Sequence, residues 1–237
     1  MAKKPFVVCV IPSRYASQRL PAKALVDLLG KPMVQRVYEQ ALKAKLLNRV
    51  VVATDDRRIA DVVRSLGGEA VMTSQDIKSG SDRVAAVAGK IKGDIFVNVQ
   101  GDEPLIAPQM IDEAVRVVLE DKNAVVGTLV KKIESSDELA NPSVVKVVVS
   151  KDGYGLYFSR SAIPHVRDEV DESKWLNHQH FYKHFGIYVF RRDFLLKFAK
   201  MKPTLLEISE KLEQLRILEN GYKIKVGITK YDSIPVD

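Results

Sequence analysis

Phe6-Val-Val-Cys-Val-Ile11 runs directly into Pro12-Ser-Arg-Tyr-Ala-Ser-Gln-Arg-Leu-Pro-Ala-Lys23. The first stretch is short, wholly apolar and closed by a proline, as expected of a strand buried on both faces. The second is a polar loop carrying Arg14, Arg19 and Lys23. Downstream, Pro32 suits a helix start, and Val34, Val37, Tyr38 and Ala41 recur at helical spacing. Arg49 to Thr54 is strand-like, the Asp55-Asp56 pair suits a helix cap, and Gly67-Gly68 ends that helix after Leu66. Ala70 to Met72 is another short strand. Ser81 or Asp82 opens a helix to about Ile91, Ile95 to Gln100 is β-rich, Pro108 begins a helix to Glu120, and Ala124 to Val130 is again a strand. This alternation predicts an α/β fold with a mostly parallel sheet covered by helices on both faces. Ligands in such folds bind beyond the carboxyl ends of the strands, which directs attention to the loops after Ile11, Thr54, Met72 and Gln100.

From about Asn141 the rhythm changes. Val144 to Val149, Gly155 to Ser159 and Phe185 to Phe190 read as strands without a helix between each pair, so a smaller antiparallel extension is expected, for substrate contacts or dimerisation. Leu205 to Asn220 returns to helical spacing before Gly221, and Ile224 to Ile228 is a late strand. No repeat, low-complexity tract or linker divides the chain, so 1–237 reads as one domain.

Composition narrows the function classes. Hydrophobic residues make up 46% of 237 positions, enough for a core, yet no apolar run approaches the ~20 residues of a membrane span. The apolar run after Lys3-Lys4 is too short for a signal-peptide core. The single cysteine, Cys9, excludes an intrachain disulfide and sits among apolar neighbours as a small hydrophobe. These features fit the cytoplasm. A net charge of +7 suits anionic small substrates, nucleic acid or simply a solvated surface. With no basic block, RNP-like aromatic pattern or zinc spacing, nucleic acid is the least favoured of these.

Two loops carry candidate chemistry. In the first, Arg14, Arg19 and Lys23 suit a triphosphate, because guanidinium groups grip phosphate oxygens in pairs and a lysine adds a point charge. It is neither a Walker loop nor a G-x-G-x-x-G turn, and a plain solvated basic loop has the same composition. In the second, Asn98-Val-Gln-Gly-Asp-Glu-Pro104, a strand runs into a glycine and two carboxylates. Asp102 is placed to hold Mg²⁺, which binds through one or two carboxylates plus substrate phosphates. Gln100 suits a base or a sugar hydroxyl. A turn with a helix-capping acid explains the same string, but both loops fall at one edge of the sheet, which favours a nucleotide–metal site.

Taken in order, I-P-S-R-Y-A-S-Q-R-L-P-A-K, G-K-P-M, S-G-S-D-R, N-V-Q-G-D-E-P, L-Y-F-S-R-S-x-I-P, K-H-F-G-I-Y and L-E-Q-L-R resemble the 3-deoxy-manno-octulosonate cytidylyltransferase family. The matches run from residue 11 to residue 216. The resemblance implies a Rossmann-like nucleotidyltransferase fold, with a nucleotide-binding part over about 1–135 and a sugar-binding and dimerisation part over about 141–220. It implies a homodimer that joins CTP to the eight-carbon sugar acid with Mg²⁺, releasing pyrophosphate, in lipopolysaccharide supply. Arg14, Arg19 and Lys23 would contact the phosphates, and Asp102 and Asp237 the metal. Gln100 would lie beside the sugar and Arg83 at the nucleotide or sugar. Arg160 and Arg167 would meet the sugar carboxylate or hydroxyls, and His184, Tyr188, Glu213 and Gln214 would hydrogen-bond hydroxyls. By residue type alone, Arg83 also suits a local ion pair, Tyr188 the core, His184 a structural histidine, and Glu213 and Gln214 a solvated helix face.

The sequence departs from the family in places. Leu20-Pro-Ala-Lys-Ala24 stands where Leu-Pro-Gly-Lys-Pro is common, and Ala22 has fewer accessible conformations than glycine. Ser81 replaces a frequent threonine and keeps the hydroxyl. Gln75-Asp-Ile-Lys78 lacks a usual histidine. Ile234-Pro-Val-Asp237 stops where the family continues into a final helix, so either a shortened sequence or a less rigid second carboxylate is expected. Rival readings are a cytidylyltransferase for nine-carbon sialic acid, an enzyme for sugar 1-phosphates, and a non-catalytic nucleotide or nucleic-acid binder. The intact Asp102 and loop cations stand against the last.

Overall fold

The computed structural model describes residues 4–16, 22–77 and 79–236. Strands β1 (Val7–Ser13), β2 (Arg49–Thr54), β3 (Glu69–Met72) and β4 (Ile95–Asn98) alternate with helices α1 (Met33–Ala41), α2 (Arg57–Ser65) and α3 (Gly80–Ala88). Helix α4 (Pro108–Glu120) leads to β5 (Val126–Lys132) and the short α5 (Ser136–Ala140). Beyond these lie β6 (Lys146–Val149), β7 (Tyr154–Ser159), β8 (Tyr182–Arg191), α6 (Arg192–Phe198), α7 (Leu205–Glu210), α8 (Leu215–Glu219) and β9 (Ile224–Ile228). The local signals act where expected. Asp56 caps α2 by accepting the Arg58 amide proton, Ser79 caps α3 from the Asp82 amide, and Pro108 occupies the first turn of α4. The α3 cap lies two residues before the predicted start, and the helix ends at Ala88 rather than Ile91.

The nine strands among the described residues form one sheet in the order β3-β2-β1-β4-β8-β5-β9-β7-β6. The pairs β1–β2, β1–β4, β2–β3 and β5–β9 are parallel. Those of β8 with β4, β5 and β6, and those of β7 with β6 and β9, are antiparallel. The uninterrupted parallel block is thus β3-β2-β1-β4. The later segment is no appendage: β8 is hydrogen-bonded between β4 and β5. Because β6 also pairs with β8, strands β8, β5, β9, β7 and β6 close into a ring. An irregularity between Thr128 and Leu129, opposite Phe185 to Tyr188, falls where β8 leaves β4 and turns into that ring, as bulges allow.

Helices cover both faces. Val34, Val37, Ile59, Val63, Ile111 and Val115 pack from α1, α2 and α4 on one side. Val84, Val87, Phe194, Phe198, Leu215 and Ile217 pack from α3, α6 and α8 on the other. Cys9 is fully buried, and burial pushes its thiol far above the ordinary range, so it is an inert core residue. Among the described residues no helix is long and apolar enough to cross a membrane.

One predicted helix is corrected. Leu205 to Asn220 is not continuous: α7 opens with a Thr204–Glu207 capping box and stops at Lys211, whose φ of 55° is left-handed. The break turns Leu212 into the core before α8 begins, and it brings Glu213 and Gln214 inward rather than onto a solvated helix face.

Candidate active site

A cleft of about 250 Å³ opens at the carboxyl ends of β1 and β4. Since these strands are parallel neighbours, the loops after them emerge side by side. They touch only because residue 101 is glycine: a Cβ there would stand 2.6 Å from the Pro12 carbonyl oxygen and 3.0 Å from Ser13 Oγ. Beyond Gly101, Asp102 Oδ2 accepts a proton from Lys23 Nζ at 2.9 Å, with 37% of the aspartate side chain and 13% of the lysine side chain exposed. Lys23 enters on a short 3-10 turn behind Ala22, which holds a left-handed φ of 58°. Arg14 lines the same cleft and is exposed. Arg19 lies outside the described residues.

Arg83 also lines the cleft but is only 2% exposed. Its Nη2 donates to Asp55 Oδ2 at 3.1 Å and to the Ile77 carbonyl at 3.4 Å, and its Nη1 donates to the Thr73 hydroxyl. The other Asp55 oxygen accepts the Tyr15 amide proton at 3.1 Å. A single carboxylate from the end of β2 thereby fixes both the first loop and the arginine. Sequence reading assigned the Asp55-Asp56 pair to helix capping, yet only Asp56 caps. The available signal was redundancy, since one cap needs one acid.

A second polar cluster adjoins the cleft behind α3. Ser81 Oγ donates to Glu213 Oε2 at 2.7 Å and accepts from Asn98 Nδ2 at 3.4 Å. Tyr188 lies opposite Asn98 across β4 and β8, and His184 is edge-on to Phe158 at 5.1 Å. Gln100 Nε2 donates to the Gly186 carbonyl at 3.3 Å, joining the cleft to β8. Burial raises the Glu213 carboxyl above its ordinary value, against the pull of hydrogen bonds from Ser79 and Ser81. Burial likewise raises Tyr188 and pushes His184 down to about 3, so the imidazole is neutral. Ser13 Oγ, Asn98 Oδ1, Glu213 Oε1 and Gln214 Nε2 are buried with no hydrogen-bond partner among the described residues. Leaving such atoms unpaired is costly, so each is a place where a polar ligand or water would be favoured.

Two expected residues stand elsewhere. Arg160 Nε donates to the Glu210 carbonyl at 2.7 Å and its Nη1 to the Pro142 carbonyl at 3.0 Å, away from the cleft lining. Arg167 is exposed in the segment that packs around Trp175 and Phe181.

The donor set suits Mg²⁺ through substrate. No group of three acidic, histidine or cysteine side chains forms a protein cage among the described residues, but Asp102 sits with Lys23 and Arg14 in the cleft. Mg²⁺ is usually held by one or two carboxylates together with substrate phosphates. The Val236 amide donates to the Asp102 carbonyl at 2.9 Å. The next residue, Asp237, lies outside the described residues.

Comparison with known proteins now bears on this geometry. A family model described as Cytidylyltransferase matches residues 8–224. A protein of Geotalea uraniireducens named 3-deoxy-manno-octulosonate cytidylyltransferase is 54% identical over 98% of this chain and 94% of its own length. The chain belongs to the 3-deoxy-manno-octulosonate cytidylyltransferase family. Another cytidylyltransferase of that name, from Chloroherpeton thalassium, is 48% identical over 97% of this chain and 92% of its own. Among solved structures, CMP:2-keto-3-deoxy-manno-octonic acid synthetase complexed with CTP superposes with a TM-score of 0.91 at 41% identity, covering 98% of this chain and 93% of that one. The 4-diphosphocytidyl-2C-methyl-D-erythritol synthase of Anaerococcus prevotii, at 11% identity and a TM-score of 0.61, shares the fold. The cytidylyltransferase family thus fixes the enzyme as a nucleotidyltransferase on the α/β nucleotidyltransferase fold.

Proposed function

We propose that this chain transfers CMP from CTP to 3-deoxy-D-manno-octulosonate, giving the CMP-sugar and pyrophosphate. The observation that carries this reading is the Ser81–Glu213 contact, which ties α3, whose Gly80 and Arg83 line the Asp102–Lys23 cleft, to Glu213 and Gln214, each with a buried polar atom lacking a partner among the described residues. CTP would lie in the cleft with its phosphates toward Arg14, Arg19 and Lys23. The sugar acid would meet Gln100, His184, Tyr188, Glu213 and Gln214, of which Glu213 and Gln214 each hold a buried polar atom without a partner among the described residues, as a chain of hydroxyls would need. Arg160 and Arg167 are candidates for its carboxylate if their side chains redirect on binding. Arg83 would support the nucleotide wall.

The anomeric C2 hydroxyl oxygen would attack the α-phosphorus in line, forming the new P–O bond as the bond to pyrophosphate breaks and the hydroxyl proton passes to solvent water. Asp102 and Asp237 would hold Mg²⁺, which when bound offsets phosphate charge and acidifies the attacking hydroxyl. Arg14, Arg19 and Lys23 would stabilise the charge gathering on pyrophosphate. Orientation of the two substrates falls to the β4 loop and the β8 bulge, which share the Gln100–Gly186 contact. A homodimer, a cytoplasmic location and service to lipopolysaccharide synthesis complete this reading.

The test is pyrophosphate release on incubation with CTP, Mg²⁺ and the eight-carbon sugar acid, beside parallel reactions with a nine-carbon sialic acid and with no sugar. Release only with the eight-carbon acid is expected. Release with neither acid would overturn the reading, and release with the sialic acid alone would reassign the substrate.

A further inference from the structure

Thr128 belongs to none of the motifs of the sequence, yet its hydroxyl is fully buried against three polar atoms of one strand. Thr128 Oγ1 lies 2.7 Å from the Ile187 carbonyl oxygen, 3.2 Å from the Phe185 carbonyl oxygen and 2.9 Å from His184 Nε2. These contacts occur where the β5–β8 register breaks, with Gly186 and Ile187 the extra residues. Successive carbonyls therefore turn opposite ways, 185 and 187 toward Thr128 and 186 toward Gln100.

A threonine hydroxyl has one proton and two lone pairs, whereas carbonyl oxygens only accept. The single proton must serve the carbonyls, Ile187 above all. Had it gone to the imidazole instead, two carbonyl oxygens would face a hydroxyl lone pair with no proton between. The remaining lone pair of Thr128 therefore accepts from His184, and the ring carries its proton on Nε2. Phe158 edge-on at 5.1 Å and Tyr188 at 5.3 Å restrain the ring, and no donor reaches Nδ1 among the described residues.

We propose that Thr128 is a positioning residue that locks His184 as the Nε2–H tautomer, leaving Nδ1 as an obligatory acceptor for a hydroxyl proton of the sugar acid. This rests on the reading of His184 as a sugar contact, while the tautomer itself does not. The same hydroxyl stitches the bulge that aims Gly186 at Gln100, so the sugar contacts on β8 are set from β5. A ligand bearing only an acceptor at that point is rejected, because two lone pairs would meet.

The experiment is ¹⁵N–¹H correlation of the imidazole side chains in the full-length chain without substrate, followed by steady-state kinetics of Thr128→Val and Thr128→Ser. His184 is expected to show protonated Nε2 and unprotonated Nδ1. Thr128→Val should lose that signature and raise KM for the sugar roughly tenfold, with KM for CTP within about twofold, while Thr128→Ser restores both. Protonated Nδ1 in the unsubstituted chain, a retained signature in Thr128→Val, or a serine variant as impaired as valine would each overturn the proposal. If Thr128→Val does not fold, the unsubstituted spectrum decides. If no sugar acid supports turnover, the function fails, and the tautomer is still read.

Discussion

Asp55 holds Arg83 and the Tyr15 amide with its two carboxylate oxygens, each at 3.1 Å, so one residue at the end of β2 fixes both the first loop and an arginine of the cleft. The ion pair is nearly dry, with side-chain exposures of 3% for the arginine and 9% for the aspartate. A buried charge of this kind tolerates its site only while its partner stays.

Asp55→Ala should therefore destabilise the fold by about 3 kcal/mol, as removal of one member of a buried pair does. KM for CTP should rise as well, because Tyr15 loses its anchor. Urea unfolding and steady-state kinetics check the two effects. An unchanged unfolding midpoint would show that Arg83 finds another partner.

Replacement of Asp102 by asparagine keeps the shape of the loop and removes the charge. Turnover should fall by roughly 10²–10³, the scale seen when one transition-state charge contact is lost. The activity that remains should need more Mg²⁺. Turnover near normal at limiting Mg²⁺ would rule out the metal role of this residue.

Ala22 occupies the left-handed region at φ 58°, which costs a non-glycine residue roughly 1–2 kcal/mol. Ala22→Gly removes that cost but adds about 0.4–1 kcal/mol of unfolded-state freedom. The net gain should be about 0.5–1 kcal/mol, visible as a higher Tm in calorimetry, with the loop otherwise intact.

At Gly101 the same logic runs in reverse. A methyl group 2.6 Å from the Pro12 carbonyl must push the first loop from the second. Gly101→Ala should cost about 1–3 kcal/mol and weaken CTP binding, read by isothermal titration. CTP affinity equal to that of the unsubstituted chain would show the loops separating without harm.

His184 gives a pH dependence of defined sign. Its folded pKa, about 3, is below the model-compound value of 6.5, so the unfolded chain binds the extra proton first. The stability that it contributes is present above 6.5 and falls with pH between 6.5 and about 3, by up to about 1.4 kcal/mol per unit. Buried Glu213 works oppositely: its raised carboxyl pKa costs stability as pH rises above the ordinary 4.5. Guanidinium unfolding of His184→Gln from pH 7 to pH 4 should show a flatter acid limb than the unsubstituted chain. Parallel limbs would refute the assignment.

Much of this arrangement is written locally in the chain. The apolar run before Pro12, the prolines at 32 and 108 and the glycines at 67 and 68 mark element ends by backbone chemistry, and the helix–strand alternation follows. What lies outside local signals was harder to read. Nothing at Lys211 announces a left-handed residue, because the break is set by burial of Leu212 and not by a glycine or proline. The insertion of β8 between β4 and β5 depends on partners more than 50 residues apart, as in the Thr128–His184 contact. Asp55 was legible as an acid but not as a bridge, since its two partners arrive from β1 and α3. That the basic loop and Asp102 share one cleft was legible because each loop carries its charges within a few residues of a strand end. The contacts of Gln100 with Gly186, His184 with Thr128 and Ser81 with Glu213 were not derivable by spacing, for each joins residues that meet only in the folded chain.

The segment after β9 crosses from one half of the sheet to the other in a few pinned steps. Asp232 reaches Lys131 on β5 at 2.8 Å and Lys183 on β8 at 3.1 Å, Ser233 reaches Glu103, and the Val236 amide reaches the Asp102 carbonyl at 2.9 Å. Those pins make the stretch a ruler. Substitutions along 229–236 can be absorbed one pin at a time, but inserting or deleting one residue shifts the chain by about 3.5 Å, more than a hydrogen bond can stretch. Length rather than identity is therefore the conserved quantity to expect there.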